Sequence, residues 1–303
     1  MAQSAPIALP LLTIDEAKSH YDEFVAKTGC DHARAGSKLD CLKNISAVAV
    51  VTAEVAAQQK VYLSSPLTMF MPWTPVIDGT ELTAPLLNLF NSGQHAQVPF
   101  VAGHVAEEAR LFVYSAFTKQ MSKDEADALV RLIYKGKGVA KAIFARYPWP
   151  DPAPPGDDYR DWLSRLASDF VIECPSRNVS RAMASASTAI SPAPLVYRYE
   201  FNHSWATPGL WGPNYTFCEG HACHGVELPF VFQSAGLLNV SFSPLEITLG
   251  GQMAGYWAQF ASSTTGDPGA GSPGAPVWPA LNSSDLLLEL ETPSPAVRQS
   301  VRA

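Results

Sequence analysis

Short apolar segments that end in a polar loop alternate along the chain with segments of helical character. Residues 98–103 (VPFVAG), 195–201 (LVYRYEF) and 286–290 (LLLEL) have the length and the apolar or alternating pattern of strands. Helices that alternate with strands cover the faces of a sheet whose strands run in the same direction. The pattern therefore predicts an α/β protein with a largely parallel sheet and flanking helices.

Two helices are predicted to begin with a capping box, in which a Ser or Thr is followed three residues later by Glu. The first box is Thr13 with Glu16, and the second is Ser122 with Glu125. Another helix is predicted from residue 42 towards residue 59, where alanine and valine are frequent.

The charge of the chain is modest and evenly spread. Its 303 residues carry a formal net charge of -7 without acidic or basic runs, so neither a nucleic-acid partner nor a polybasic membrane surface is predicted. The longest apolar run, residues 47–57, contains Glu54 and is too short to span a bilayer. No transmembrane segment is predicted, and a small or neutral molecule is the expected partner.

Four of the five cysteines form two local pairs in the sequence. Cys30 and Cys41 flank a short polar segment, and Cys218 and Cys223 flank the sequence EGHA. Both pairs are candidates for disulfides in an oxidising compartment. Cys174 is then left without a partner.

Asparagines are concentrated in N-x-S/T sequons, the acceptor motif for N-glycosylation. Six of the eight asparagines lie in such a motif without proline in the middle: Asn44, Asn178, Asn202, Asn214, Asn239 and Asn282. The enrichment predicts N-glycans and a place in the secretory pathway or outside the cell.

Acidic and histidine side chains follow two of the predicted strands. Glu107 and Glu108 come shortly after residues 98–103, and His224 lies in the long loop after residues 195–201. Reactive groups of open α/β sheets gather in the loops at the carboxyl ends of the strands. An acid followed by a histidine is the second half of the Ser, Asp or Glu, His order of α/β-hydrolases, in which the carboxylate orients the imidazole.

Four stretches resemble, in the right order, the type-B carboxylesterases and cholinesterases. PVIDG followed by VPFVAGHVAEEARLF resembles the family's PVVDG segment and its strand that ends in G-x-x-x-D-E-G. CHGVELPFVF resembles the signature H-G-x-E-L-P-F-x-F, and YWAQFASSTTGDPG with VWP resembles the late helix and loop. Residues 29–42 resemble a short disulfide loop of the family. The resemblance implies an α/β-hydrolase fold, with Glu108 as the triad acid and His224 as the triad base.

The chain departs from the family pattern at several points within residues 4–290, which the resemblance covers. Ala109 stands where Gly is usual, and Gln259 replaces the usual Asn. No G-x-S-x-G pattern, which carries the nucleophile, and no Gly-rich oxyanion segment occur in the sequence. Residues 1–303 are therefore expected to be a single partial domain, the C-terminal half of an α/β-hydrolase domain. Its N-terminal strands and a signal peptide are expected upstream.

Two functions of different classes are consistent with these features. The first is a serine-type carboxylic ester hydrolase that uses no cofactor, acts on a small carboxylic ester and is nearly inactive as this chain alone. The second is a non-catalytic, esterase-like binding or adhesion module. The absent nucleophile favours the second function, whereas the retention of both Glu108 and His224 favours the first.

A zinc site is a third possibility for the cysteine- and histidine-rich loop. Four ligands within seven residues would fit a tetrahedral geometry poorly; these are Cys218, His221, Cys223 and His224. Without zinc, His221 and His203 are interpreted as surface histidines. Glu227 is expected to hold the loop through hydrogen bonds.

Overall fold

The computed structural model of the protein describes residues 1–32, 34, 37–62, 67, 71–186 and 194–300. The strands are β1 (Ala2–Gln3), β2 (Leu12–Thr13), β3 (Val76–Ile77), β4 (Phe100–Val105), β5 (Val196–Phe201), β6 (Leu286–Leu290) and β7 (Ala296–Gln299). The helices are α1 (Ile14–Thr28), α2 (Lys38–Asn44), α3 (Ala47–Tyr62), α4 (Leu86–Asn91), α5 (Arg110–Ala116), α6 (Lys123–Ile133), α7 (Val139–Arg146), α8 (Arg160–Ser168), α9 (Cys174–Ala186), α10 (Leu228–Val231) and α11 (Pro244–Ser262).

The chain forms two compact units. The first consists of Met1–Ala8, Leu86–Ala128 and Gly138–Ala303, and the second of Leu9–Pro85 and Leu129–Lys137. The sequence-based view that residues 1–303 make up a single partial domain stays a prediction.

A five-stranded sheet forms the centre of the first unit, in the order β1-β4-β5-β6-β7. The pairs β1–β4, β4–β5 and β5–β6 are parallel, and β6–β7 is antiparallel. The expected fold class, a mostly parallel sheet with flanking helices, is thus confirmed. The longest pairing joins β4 and β5 over six residues each, from Phe100 opposite Val196 to Val105 opposite Phe201.

Strands β4 and β5 are buried on both faces, as expected for strands in the middle of a parallel sheet. Apolar residues of both strands pack against α10, α11 and Trp278 in one core cluster. The charged Arg198 of β5 is also buried, and its guanidinium contacts Asp285 at 3.3 Å. Strands β4 and β5 are therefore held in place by a packed core.

Gly103 and Tyr199 are opposite each other in the β4–β5 ladder. A Cβ atom on Gly103 would lie 2.0 Å from Cε1 of the Tyr199 ring. The ring therefore lies against β4 at a position where only a hydrogen leaves it enough room.

The second unit contains helices α1, α2 and α3 and the parallel strands β2 and β3. Helix α1 begins with the predicted capping box, since Thr13 and Glu16 bond each other's backbone N–H groups. The Cys30–Cys41 disulfide is formed here, although residues 33, 35 and 36 between the two cysteines lie outside the described residues. None of the helices that the structure describes combines the length and apolar character of a membrane-spanning segment.

Two sequence-based boundaries are wrong. The helix predicted from residue 42 towards residue 59 is two helices, because Ile45 is extended (ψ 152°) and the Ser46 hydroxyl accepts the N–H of Ala49. The strand predicted at residues 98–103 is displaced to Phe100–Val105. Pro99 has no N–H to donate, so the ladder begins where the N–H of Phe100 donates to the carbonyl of Leu195.

Two glycines of α11 provide a test of this packing. The Cβ of Gly255→Ala would lie 2.4 Å from the carbonyl oxygen of Gly271, whereas that of Gly251→Ala would meet nothing within 4 Å. We expect Gly255→Ala to lower the free energy of unfolding by about 1–3 kcal/mol through overpacking, and Gly251→Ala to raise it by up to ~1 kcal/mol through helix propensity. Urea unfolding of both variants measures this, and equal effects would contradict the close approach.

Candidate active site

The ends of β4 and β5 bring two loops to the same edge of the sheet. Beyond the ladder, the N–H of Ala106 donates to the carbonyl of Phe201 at 2.9 Å, and the N–H of Glu107 donates to the carbonyl of Ala222 at 3.1 Å. Glu107 also forms a parallel bridge with Cys223. The loop that follows β5 thus returns to lie directly beside the residues that follow β4.

The structure brings Glu108 and His224 together, although they are 116 residues apart. Oε2 of Glu108 lies 2.6 Å from Nδ1 of His224, and Oε1 accepts the N–H of Val105 at 2.8 Å. The carboxyl side chain is 1% exposed, whereas the imidazole is 34% exposed. A neutral ring that donates through Nδ1 presents its Nε2 lone pair as a proton acceptor, which is the orientation of a general base.

Local packing holds this pair in place. The Phe112 ring on α5 lies against the His224 ring, with centroids 5.0 Å apart. The N–H of Ala109 donates to the hydroxyl of Ser168 at 2.9 Å, which fixes the turn between β4 and α5. Ala109, at the position where the family usually has Gly, has an ordinary helical backbone (φ -81°, ψ -6°). The substitution therefore introduces no strain next to the carboxylate.

The pKa of His224 is raised above its ordinary value. Burial of the ring lowers the pKa, but the hydrogen bond and the negative charge of Glu108, with the charge of Glu227, outweigh burial. Glu227 is itself buried, and its pKa is raised by burial first and by the nearby charge of Glu108. The imidazolium form of His224 thus lies in a region of negative charge, which stabilises a proton on the ring.

The carboxyl group of Glu227 has one long hydrogen bond to another residue, in which its Oε1 accepts from Nε2 of Gln3 on β1 at 3.4 Å. Close to Glu227, a bond within the loop after β5 is shorter, because the indole N–H of Trp205 donates to the carbonyl of Val226 at 3.0 Å. The expected role of Glu227 in holding the loop has only this weak structural support.

A second pair of glutamate and histidine, which the sequence reasoning missed, lies beside the first. Nδ1 of His221 lies 2.8 and 3.0 Å from the two carboxylate oxygens of Glu107, and the N–H of Ala222 donates to Oε2 at 3.1 Å. The signal for it was the adjacency of Glu107 to Glu108, together with two histidines three residues apart. A cavity of about 360 Å³ opens beside this second pair.

The interpretation of two histidines as surface residues needs correction. His221 is half-buried against Glu107, and the ring of His203 is mostly buried, with Nε2 3.1 Å from Oε1 of Glu246. Both rings have a carboxylate partner, because the long loop folds back over charged residues of neighbouring elements.

The Cys218–Cys223 disulfide is also formed, with both sulfurs buried. The alternative of a zinc site is therefore wrong for this structure, because the two sulfurs that would act as thiolates are bonded to each other. Among the described residues, no group of three or more His, Cys, Asp or Glu side chains is arranged to hold a metal ion.

A mostly parallel sheet that carries an acid and a histidine in contact at the ends of neighbouring strands defines a protein of the α/β-hydrolase class. The family model described as "Carboxylesterase family" matches residues 1–303, and the chain belongs to that family. The resemblance noted in the sequence is thereby confirmed.

Several relatives are similar over most of the chain. It is 30% identical over 295 residues to the cAMP-regulated D2 protein of Dictyostelium discoideum, and the alignment covers 95% of this chain and 51% of that protein. It is 25% identical over 292 residues to the fumonisin B1 esterase of Sphingopyxis macrogoltabida, covering 89% and 44%. It is 26% identical over 270 residues to carboxylesterase 4A of Bos taurus, covering 87% and 46%. The chain thus spans about half the length of the curated relatives it matches.

Replacing the acid tests the electrostatic arrangement. Glu108→Gln keeps a hydrogen-bond acceptor for His224 but removes the charge, while burial of the ring continues to disfavour the imidazolium. We expect the pKa of His224 to fall from its raised value, so that the ring loses its proton at a lower pH. NMR titration of the ¹³C-labelled imidazole measures this, and an unchanged pKa would show that Glu108 does not control the ring.

Proposed function

We propose that this chain contributes the acid and the base of a serine-type carboxylic ester hydrolase, with Glu108 and His224 in those roles. The single observation that carries the proposal is the 2.6 Å contact between the buried Glu108 carboxylate and Nδ1 of His224. Membership of the carboxylesterase family supports ester hydrolysis as the chemistry.

The geometry supports a defined sequence of proton transfers. His224 accepts the proton of a serine hydroxyl on Nε2 as that oxygen attacks the ester carbonyl carbon, and then gives the proton to the departing alcohol oxygen. Water repeats the cycle on the acyl-enzyme, which releases the carboxylic acid and restores the serine. Glu108 orients the ring and stabilises the imidazolium through Nδ1. No cofactor is needed for these steps.

The reactive serine of this proposal lies outside these residues, since the sequence contains no G-x-S-x-G pattern. This chain alone is accordingly expected to be almost inactive, because nucleophile and oxyanion donors supply much of the rate. The same observation favours the alternative of a non-catalytic, esterase-like binding module. The retained contact between Glu108 and His224 favours the hydrolase.

Hydrolysis of a p-nitrophenyl ester decides between the two functions. We expect the full-length protein that includes this chain to hydrolyse the ester, and residues 1–303 alone to do so barely. In the full-length protein, His224→Ala is expected to lower kcat by about 10³-fold or more, as removal of triad members does. A matched control is Lys119→Ala, an exposed residue. Absence of hydrolysis by the full-length protein would support the binding module instead.

We also propose that the protein is N-glycosylated and belongs to the secretory pathway or the extracellular space. All six sequon asparagines are exposed: Asn44, Asn178, Asn202, Asn214, Asn239 and Asn282. An N-glycan is bulky and hydrophilic, so the folded protein can accommodate it only on an asparagine at the surface. The two disulfides, Cys30–Cys41 and Cys218–Cys223, suit an oxidising compartment as well.

Enzymatic removal of N-glycans tests this proposal. Protein secreted by eukaryotic cells is expected to lose mass on treatment with an amidase specific for N-glycans, and the loss should be smaller in Asn214→Gln. Asn91→Gln is the matched control, because Asn91 is an asparagine outside any sequon. If the treatment leaves the mass of the wild type unchanged, the proposed glycosylation is wrong.

A further inference from the structure

We propose that Glu107 is a positioning residue that holds the loop of residues 217–224, here called the histidine loop, so that His224 reaches Glu108. The inference rests on the proposed function, in which His224 is the base. It concerns a residue that acts through another residue and does not itself touch the reacting atoms.

Glu107 holds the histidine loop by both its backbone and its side chain. Its N–H donates to the carbonyl of Ala222, and its carboxylate accepts from the N–H of Ala222 and from Nδ1 of His221. These contacts fix the two residues that precede Cys223 and His224. Because charge-assisted hydrogen bonds are shorter and stronger than neutral ones, a carboxylate is well suited to this role.

Arg110 holds the other end of the same loop. Its Nε donates to the carbonyl of Phe217 at 2.6 Å, and its Nη1 is paired with Asp161. The guanidinium also lies over the Tyr114 ring, 4.7 Å from the centroid, and that ring stacks on Phe217 with centroids 5.0 Å apart. Arg110 therefore contacts the histidine loop near residue 217, and Glu107 contacts it near residue 222.

The Cys218–Cys223 disulfide closes the short segment between the contacts of Arg110 and those of Glu107. Its Cα atoms are 5.8 Å apart and the two cysteines are five positions apart in sequence, so the closed loop has little conformational freedom. The position of Glu107 is thereby transmitted to Cys223 and to the next residue, His224. The acid and the group that places its histidine are consecutive residues at the end of one strand.

The charge of Glu107 does not account for the raised pKa of His224. The charges that raise it are those of Glu108 and Glu227, and they act only while the ring lies beside Glu108. A variant that removes the contacts of Glu107 is therefore distinguishable from one that removes only its charge. The pKa of His224 reports the distance between the ring and Glu108, and it can be measured without turnover.

The test compares Glu107→Ala with Glu107→Gln in the full-length protein, by NMR titration of His224 and by kcat/KM for a p-nitrophenyl ester. Both variants lose the charge, but glutamine keeps an oxygen that can accept from Ala222 and His221. We expect Glu107→Ala to lower the pKa of His224 and to reduce kcat/KM up to ~100-fold, the loss that a displacement of about 1 Å can cause. Glu107→Gln is expected to restore both quantities towards the wild type.

Two outcomes for the Glu107 variants would overturn the proposal. A Glu107→Ala variant with a lowered unfolding temperature but an unchanged pKa of His224 would show a merely structural residue and overturn the proposal. Equal pKa shifts in both variants would assign the effect to charge and overturn it too. If Glu107→Ala does not fold, His221→Ala removes one of the two tethers and must lower the pKa of His224. If the wild type hydrolyses no ester, the proposed function fails, while the titration still decides the role of Glu107.

Discussion

The parallel pairing of β4 with β5 is the constraint on which the site depends. Six residues of each strand are in register up to Val105 and Phe201. Both strands therefore end at the same edge of the sheet, with their last residues side by side. Two residues later, Glu107 pairs with the returning loop at Cys223. A slip of the register by one residue would turn every side chain to the opposite face, and Glu108 would then point away from His224.

The burial of the Glu108 carboxylate explains why it must be in contact with His224. A buried carboxylate without partners is strongly unfavourable, and here one oxygen accepts a backbone N–H while the other contacts His224. The imidazole thus stabilises the buried carboxylate, just as the carboxylate orients the imidazole. The half-exposed Glu107 faces a smaller desolvation cost, which suits a residue whose carboxylate accepts hydrogen bonds from a loop at the surface.

The sequence predicted the sheet class, both disulfide pairs and the identity of the residues that meet at the site, because each left a local pattern or a motif. Strand β1 escaped notice, since two residues show no periodicity. The break at Ile45 escaped notice as well, because apolar residues continue on both sides of it. The pairing of Glu107 with His221 is a tertiary contact over 114 residues. The sequence spacing places Glu107 and His221 in the correct loops, but it does not show which carboxylate contacts which imidazole ring.

The close fit of Tyr199 over Gly103 restricts how these two positions can change over generations. Any side chain at position 103 would collide with carbons of the ring itself, so exchange of Tyr199 for Phe gives no relief. Position 199 has to become small before position 103 can become larger, and the intermediate leaves a void beside Trp257 and Trp278. Among descendants of a common ancestor, the pair is thus expected to vary jointly or hardly at all.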